Sequence, residues 1–354
     1  MIRLYLETYT LSSALPDFFT IDELSVDFVD VEIALQGEYI YKTRLYANNG
    51  VCTFYELRSI VEQNMVKRGL VLAPLEVLSD DGSGIEHYED RYIVFSRYKD
   101  ANYSDEYFLA HHFLVSRSYY SVPRNRYASV QFFATETEAP VATYQAVYEK
   151  DGQIQVYSAQ QNITRYNRPF VYSIHVSPEL VDNLVKAKMG GDCGKLLSFS
   201  LIVGERALAV YVIEEEPCEE FYFRNAYNAL EYMFVFGTST LKTEISRKEA
   251  LMQQRTSFYD KSVTRKAEVK TAPMTIEEAN WFNEFLEADF VQKDINDGYG
   301  GYQVLISDIS SEITDSPKER ISIKFSWRFD DNSLWVDNSP RERDFTNQFN
   351  LIYT

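Results

Sequence analysis

The chain has little of several things that settle a protein's class early. It holds only four histidines, and His87, His111, His112 and His175 make no His-x-His or His-x-x-x-His pair of the kind zinc sites draw on. His111 and His112 are adjacent, and on a strand they would point to opposite faces and could not share one ion. Three cysteines, Cys52, Cys193 and Cys218, lie far apart and are odd in number, so they form neither a C-x-x-C knuckle nor a disulfide framework. Buried or incidental thiols are the plain expectation; a single disulfide from Cys193 to Cys218 across a hairpin region is the sharper one. No apolar run approaches the roughly 20 residues that cross a bilayer as a helix. The first ten residues alternate apolar and polar, and Glu7 interrupts them early. That is unlike the unbroken apolar stretch of about 7–15 residues in a secretory signal, so a protein made in the cytoplasm without a signal peptide is expected. Positive charge is also short, with 35 Lys and Arg against 53 Asp and Glu and a net charge of -18. Like-charge repulsion therefore argues against nucleic acid and against anionic membranes as partners of the whole molecule.

Catalytic signatures are missing as well. There is no Gly-x-Ser-x-Gly elbow, no P-loop and no dinucleotide fingerprint. The run Asp294-Ile295-Asn296-Asp297-Gly298 looks like a calcium loop, but Gly298 stands where an oxygen ligand is required and no bidentate Glu follows. Carboxylate pairs such as Asp80-Asp81 and Asp330-Asp331 are adjacent and sit in expected turns, whereas glycosidase acids face each other roughly 5–10 Å apart across a cleft. The sequence nominates no catalytic, cofactor-binding or metal-ligating residue.

What is present is aromatic and β-forming. Tyr and Phe number 27 and 23, and such residues collect on half-buried pleated surfaces. The clusters Tyr39 and Tyr41, Tyr119 and Tyr120, and Phe221-Tyr222-Phe223 are therefore expected in the core or on sheet faces, with subunit contacts or sugar stacking as the functional alternative. Three hairpins are legible. Alternation flanks Gly37-Glu38 and Gly204-Glu205, each with Gly first as a type II′ turn prefers, and it flanks Asp151-Gly152, which supplies positive φ at both turn positions. Further strands are expected near 2–9, 91–97, 128–134, 170–176, 219–223, 230–236, 302–308 and 320–329. Strands that bury one face and wet the other fit antiparallel sandwiches better than a parallel sheet.

Helices are few. Thr53 and Glu56 read as a capping box before the stripe Leu57, Ile60, Val61 and Met65, with Gly69 as the stop. Ser177-Pro178 opens a second helix, carrying Leu180, Val181, Leu184 and Val185 and ending at Gly190-Gly191. Thr275 and Glu278 form another capping box before Trp281, Phe282, Phe285 and Leu286. A hairpin at 31–46 leads to the first helix, and a hairpin at 143–157 plus a strand at 170–176 leads to the second. That echo is either a structural duplication or a coincidence of common elements, since residue identity between the stretches is slight.

The expected fold is mainly β: two or three antiparallel β-sandwich-like domains with a few short helices. The boundaries read as 1–120 with helix 53–67, 121–215 with helix 177–188, and 216–354 with helix 275–288. Charge is uneven along this plan. Leu241 to Lys270 holds eight basic residues (Lys242, Arg247, Lys248, Arg255, Lys261, Arg265, Lys266, Lys270) against Glu244, Glu249, Asp260 and Glu268, so it carries +4 while the rest carries -22. A long extended arm with solvated charges explains this; a basic arm meeting an acidic face of the next copy is the functional reading.

The most distinctive segment runs from Glu219 to Gly237, with Phe221-Tyr222-Phe223, Arg224-Asn225, Tyr227-Asn228-Ala229, Glu231-Tyr232 and a closing Gly237. It is followed by the basic stretch, Thr275-Ile276-Glu277-Glu278, Gln303-Val304-Leu305-Ile306 and Ile321 to Phe329. This order resembles virion or tail-associated structural proteins of Bacteroidetes phages and prophages, mainly over residues 215–335. In those proteins an aromatic–x–Asn–x–x–Gly–x–x–(Asp/Glu)–aromatic motif precedes a crossing strand, a short helix and a closing strand; here Asn228 or Ala229 stands where Gly is common. The resemblance implies a non-enzymatic structural or assembly protein of a phage-like particle, with copies of itself or other particle proteins as partners. A carbohydrate-binding or adhesin sandwich is the alternative, and a hydrolase with two pocket carboxylates a more distant one.

Overall fold

A computed structural model describes residues 1–98, 103–138, 140–252, 255–293, 301–311 and 320–330. The protein is mainly β, with antiparallel and mixed sheets in sandwich-like arrangements and, among the described residues, four short α-helices. Two compact units are formed: Met1–Val212 with Asn225–Leu230, and Ile213–Arg224 with Glu231–Thr354.

Unit 1 repeats one plan twice. In its first half a five-stranded sheet runs in the order Tyr9–Leu11, Ile85–Val94, Leu72–Asp80, Phe28–Leu35, Glu38–Tyr46. In its second half a five-stranded sheet runs Tyr119–Pro123, Arg206–Ile213, Lys195–Val203, Val141–Lys150, Gln153–Asn162. Strand by strand, the order along the chain is the same. Each half also has a small antiparallel sheet made from the strand before the hairpin and the strand after it: Phe18–Ile21 with Cys52–Tyr55, joined by Ile2–Arg3, and Ala128–Ala134 with Phe170–Val176. Each small sheet runs directly into a helix, Leu57–Arg68 or Pro178–Met189. The faint echo in the sequence is thus a shared topology.

The first-half core lies between these layers. Val29, Val31 and Ile33 from the large sheet meet Phe19, Ile21 and Phe54 from the small one and Leu57, Val61 and Met65 from the helix. In the second half Ala142, Tyr144, Ala146 and Tyr148 alternate inward, with Phe132, Tyr172, Phe199, Val181 and Val185 also buried.

Local chemistry explains most boundaries. Asp151 and Gly152 both have positive φ, at 54° and 72°, as a type I′ turn needs. Gly204 has φ 60° at the first turn position, as expected. The first hairpin differs: its turn is Gln36-Gly37, both at positive φ, one residue earlier than Gly37-Glu38. A bulge between Ile33 and Ala34 absorbs one residue and shifts the register of the strand ends.

The expected Thr53–Glu56 capping box is not formed. Thr53 lies in a strand, opposite Thr20, and the helix begins at Leu57 after Glu56, which adopts φ 69° and offers no side-chain cap. Tertiary pairing of 52–55 with 18–21 outcompetes the local cap. Ser177 does cap its helix, accepting from the Leu180 N–H, with Pro178 in the first turn. Thr275 and Glu278 form the full reciprocal box before Ile276–Leu286. A further helix, Asp105–His111, was not expected; Ser104 caps it and Asp105 and Glu106 occupy its first turn, which favours the positive helix end.

Unit 2 is a seven-stranded sheet in the order Leu230–Val235, Glu219–Arg224, Val291–Lys293, Tyr302–Ser310, Lys324–Phe329, Arg255–Thr271, Gly237–Met252. Its two edge strands are separated in sequence only by Phe236, so the sheet curls back on itself. The bend is at Gly237, with φ 135°, where a Cβ would stand 2.2 Å from the Lys270 carbonyl oxygen. Only glycine fits there. Ala279, Phe282, Phe285 and Leu286 of the helix pack against Phe221, Phe223, Phe325 and Trp327.

Candidate functional site

The segment 219–237 separates into two roles. Its strands belong to the unit 2 sheet, but its tip, Asn225–Leu230, belongs to unit 1. Asn225 accepts from the N–H groups of Tyr227 (2.9 Å) and Ala229 (3.1 Å) and donates to the Leu114 carbonyl at 2.9 Å. Asn228 sits at φ 59° and donates at 3.0 Å to the carbonyls of both Met65 and Leu70, at the C-terminal end of the helix Leu57–Arg68. Asn is the residue that best tolerates this left-handed backbone after Gly. Tyr227 stacks on Phe108 at 5.7 Å, inside a cluster with Leu11, Val94, Leu114 and Phe133. The motif is thus an anchoring tip rather than an open site.

The basic segment forms the feature that stands out. Gly237–Met252 and Arg255–Thr271 pair as one long antiparallel hairpin. Among the described residues, only Ala267–Lys270 of this hairpin pairs onward, with Lys324–Trp327. Among the described residues, from Lys242 and Lys266 outward the hairpin pairs with no other strand, over about 11 residues or roughly 35 Å at ~3.4 Å per residue. Every residue from Leu241 to Glu249 is exposed.

The register assigns the arm's two faces, because residues directly opposite share a face. One face carries Lys242, Glu244, Lys266 and Glu268. Lys242 pairs with Glu268 at 2.5 Å, and Lys266 lies 3.2 Å from Asp308 and 3.7 Å from Glu244. The hydrogen bond and charge of Lys266 lower the Asp308 carboxyl below its usual range, and Asp308 raises the Lys266 amine. This face is internally neutralised. An open groove of about 470 Å³ at its base is lined by Thr240, Lys266, Glu268, Asp308, Lys324 and Ser326. Its acid Asp308 is held ionised, the opposite of what a general acid requires.

The other face begins at Ala267 and Val269, which are buried in the unit 2 core. Continuing outward, it carries Leu241, Thr243, Ile245 and Arg247, opposite Ala267, Arg265 and Val263. Leu241 and Ile245 are 45% and 52% exposed. The core-facing side of the sheet therefore runs on as a mixed stripe of Leu241, Thr243, Ile245 and Arg247, with Glu249 next on the same face. Charge counting along the sequence showed the arm but not this stripe; the signal was the alternation Leu241, Thr243, Ile245, read against the register.

The remaining candidates are accounted for one by one. Cys52, Cys193 and Cys218 are free thiols, so the Cys193–Cys218 bond is not made. His111 ends a helix instead of lying on a strand; its Nδ1 is 2.8 Å from the Tyr107 carbonyl and its ring stacks on Tyr107 at 3.8 Å. His112 stacks on Phe108 at 4.9 Å. Among the described residues no group of three His, Cys, Asp or Glu is placed to hold a metal, and no helix is long and apolar enough to cross a membrane. Asp294–Gly298 and Asp331 lie outside the described residues. Asp80 and Asp81 lie at a turn, where they accept from the N–H groups of Gly82 and Ser83. Phe221, Phe223 and Tyr120 are buried as expected, while Tyr39 and Tyr41 are exposed. Buried charges are held by fixed partners: Glu219 pairs with Lys293 at 2.6 Å, Glu231 accepts from the Trp281 indole at 2.9 Å, and Arg206 is enclosed by Leu109, Phe133 and Glu138.

No family model matches the chain, and no curated protein does. Two structures of the full extracellular region of plexin A4 align with 92% of this chain at 11% identity, with TM-scores of 0.21 and 0.20. The chain spans about a third of their length, 36% and 31%. Scores this low bear on neither fold nor function.

Proposed function

We propose that this protein is a non-enzymatic structural or assembly component of a phage or prophage-like particle. It is made in the cytoplasm and works through contacts with copies of itself or with other particle proteins. The observation that carries the reading is the two-stranded arm. A lone hairpin is marginal in water, because neither face has a layer to pack against. An arm of this length with Leu241 and Ile245 exposed is stabilised when a neighbour covers it. The buried ionic groups support the same reading, since each is tied to structural partners rather than poised in a cleft. The carbohydrate alternative has less support: the exposed rings of Tyr103 and Tyr107 stack on one another at 4.8 Å instead of presenting open faces.

Sedimentation velocity over a wide concentration range, at low and high salt, tests the proposal, together with co-purification against the products of flanking genes. Oligomers or a stable complex with a particle protein are expected. A monomer throughout, with no partner among those products, would overturn it.

A further inference from the structure

The two halves of unit 1 share one strand order, so the outward face of one large sheet serves as a reference for the other. In the first half that face is charged and its charges are paired: Asp30 lies beside Arg44 and Glu32 beside Lys42. Such a face is at home in water. In the second half the outward positions of Val141–Lys150 include Thr143, Gln145 and Val147, and those of Lys195–Val203 include Ser198, Ser200 and Ile202. None of these is charged.

The register extends this pattern across four strands. Val156, Val147, Ser198 and Tyr211 are successive neighbours in one row, and Ser158, Gln145, Ser200 and Ala209 form the next. These eight positions hold no charge in a chain that is 25% charged with a net of -18. Apolar side chains at both ends of the first row flank the small Ser198 and Ser200. They are open to solvent: Val156 is 64% exposed, its neighbour on the same face Ile154 is 61%, and Tyr211 is 52%. Where charge does border the patch, at one end, Glu149 and Lys195 stand directly opposite each other.

Three features make a second copy the occupant. Copies of net charge -18 repel, and an uncharged face lets two of them meet without like charges opposed. The hydroxyl and amide groups of Thr143, Gln145, Ser198 and Ser200 both donate and accept, so identical groups can pair with each other across a two-fold axis. The area is also sufficient. Five strands spaced about 4.8 Å apart and about eight residues long cover roughly 650 Å² in projection, near the roughly 800 Å² each partner gives a stable interface.

We infer that the outward face of the second-half sheet, centred on Val147, Val156, Ser198 and Ser200, packs face to face on the same face of a second copy. This rests on the assembly reading and names the surface that carries it. Stacked sheets lie about 10 Å apart, so side chains from both copies fill the space between them. The contact itself is uncharged while the copies repel, so the association tightens as salt screens the repulsion.

The test uses the full chain unchanged and as V156E/S200E and V156K/S200K, with self-association measured by sedimentation equilibrium at low and high salt. Both positions face outward, so the variants are expected to keep the circular dichroism and melting profile of the unchanged chain. The unchanged chain should form dimers that tighten with salt. Each variant should weaken self-association at least about tenfold, and an equimolar mixture of the two should restore it at low salt, because a two-fold contact sets the patch against itself. A milder form, I154S/V156S, should weaken association at both salt concentrations and covers the case in which a charged variant misfolds. Self-association unchanged in the variants would overturn the inference and leave the assembly reading standing. Loss without restoration in the mixture would overturn the symmetric contact, as would dimers that weaken with salt. A monomeric unchanged chain would overturn the inference as well; the assembly reading then stands or falls on binding to a flanking gene product.

Discussion

The two halves of unit 1 follow one strand order, yet they fill and dress it differently. The first half packs aliphatic residues at Val29, Val31 and Ile33, caps its helix poorly at Glu56, and shows acids outward. The second half alternates Ala142, Tyr144, Ala146 and Tyr148 at the equivalent strand, caps its helix with Ser177 and Pro178, and shows an outward face with little charge. Topology thus fixes which positions face in, but not what fills them. The tyrosines of the second half bring phenol groups that must find partners: Tyr144 donates to Gln161 at 3.1 Å and Tyr148 to Asp182 at 3.0 Å.

The largest expected effect comes from a group only the second half contributes. Arg206 is 2% exposed and donates to the Leu109 carbonyl at 2.6 Å, the Phe133 carbonyl at 2.7 Å and Glu138 at 2.8 Å. Arg206→Met strands those acceptors, and chemical denaturation should show a loss of about 3–5 kcal/mol.

Next is the tip that braces the first-half helix, in contrast to the second helix, which ends at the exposed Gly190. Asn228→Ala removes two hydrogen bonds and the short polar side chain that lets asparagine tolerate this positive φ, so a loss of about 2–4 kcal/mol is expected. Asn228→Gly keeps the backbone and loses only the donors, so it should fall between the two; equal losses would show that the bonds, not the backbone, dominate.

The tyrosine core should respond to alkali through its buried phenols. Burial pushes the Tyr144 phenol up to about 12, above the ordinary value near 10. The folded state favours the neutral ring, so its contribution is complete below about pH 10 and declines as pH rises from 10 through 12. Denaturation midpoints should fall across that window by an amount equivalent to about 1–2 kcal/mol, and Tyr144→Phe should flatten the fall.

The smallest effects compare the helix starts. Ser177→Ala should cost about 1 kcal/mol by removing the cap on Leu180. Glu56→Gly should instead stabilise by about 0.5 kcal/mol, because φ 69° suits glycine; a destabilisation would mean that the Glu56 side chain has a role in the folded state.

Much of the framework was legible from spacing alone. The Asp151-Gly152 turn, the Ser177-Pro178 helix start and the Thr275–Glu278 box all formed as read, because each depends on residues within four positions. The Thr53–Glu56 box failed because Thr53 was claimed by a strand partner more than 30 residues away at Thr20. The turn at Gly37 slipped because a bulge at Ile33/Ala34 depends on the opposing strand. The stripe Leu241–Ile245 was hidden for a related reason: whether it is core or surface depends on how far the neighbouring strands extend.

Composition and alternation determined that the chain is mainly β and acidic with one basic stretch, since period-two burial and net charge are properties of the residues themselves. Tertiary structure alone decided that two halves of unit 1 share one strand order, that Asn228 braces the distant helix Leu57–Arg68, and that the basic stretch runs on beyond the described neighbouring strands of its sheet. Those outcomes depend on which strands pair over long separations, and pairing energy is shared between partners that no local window contains.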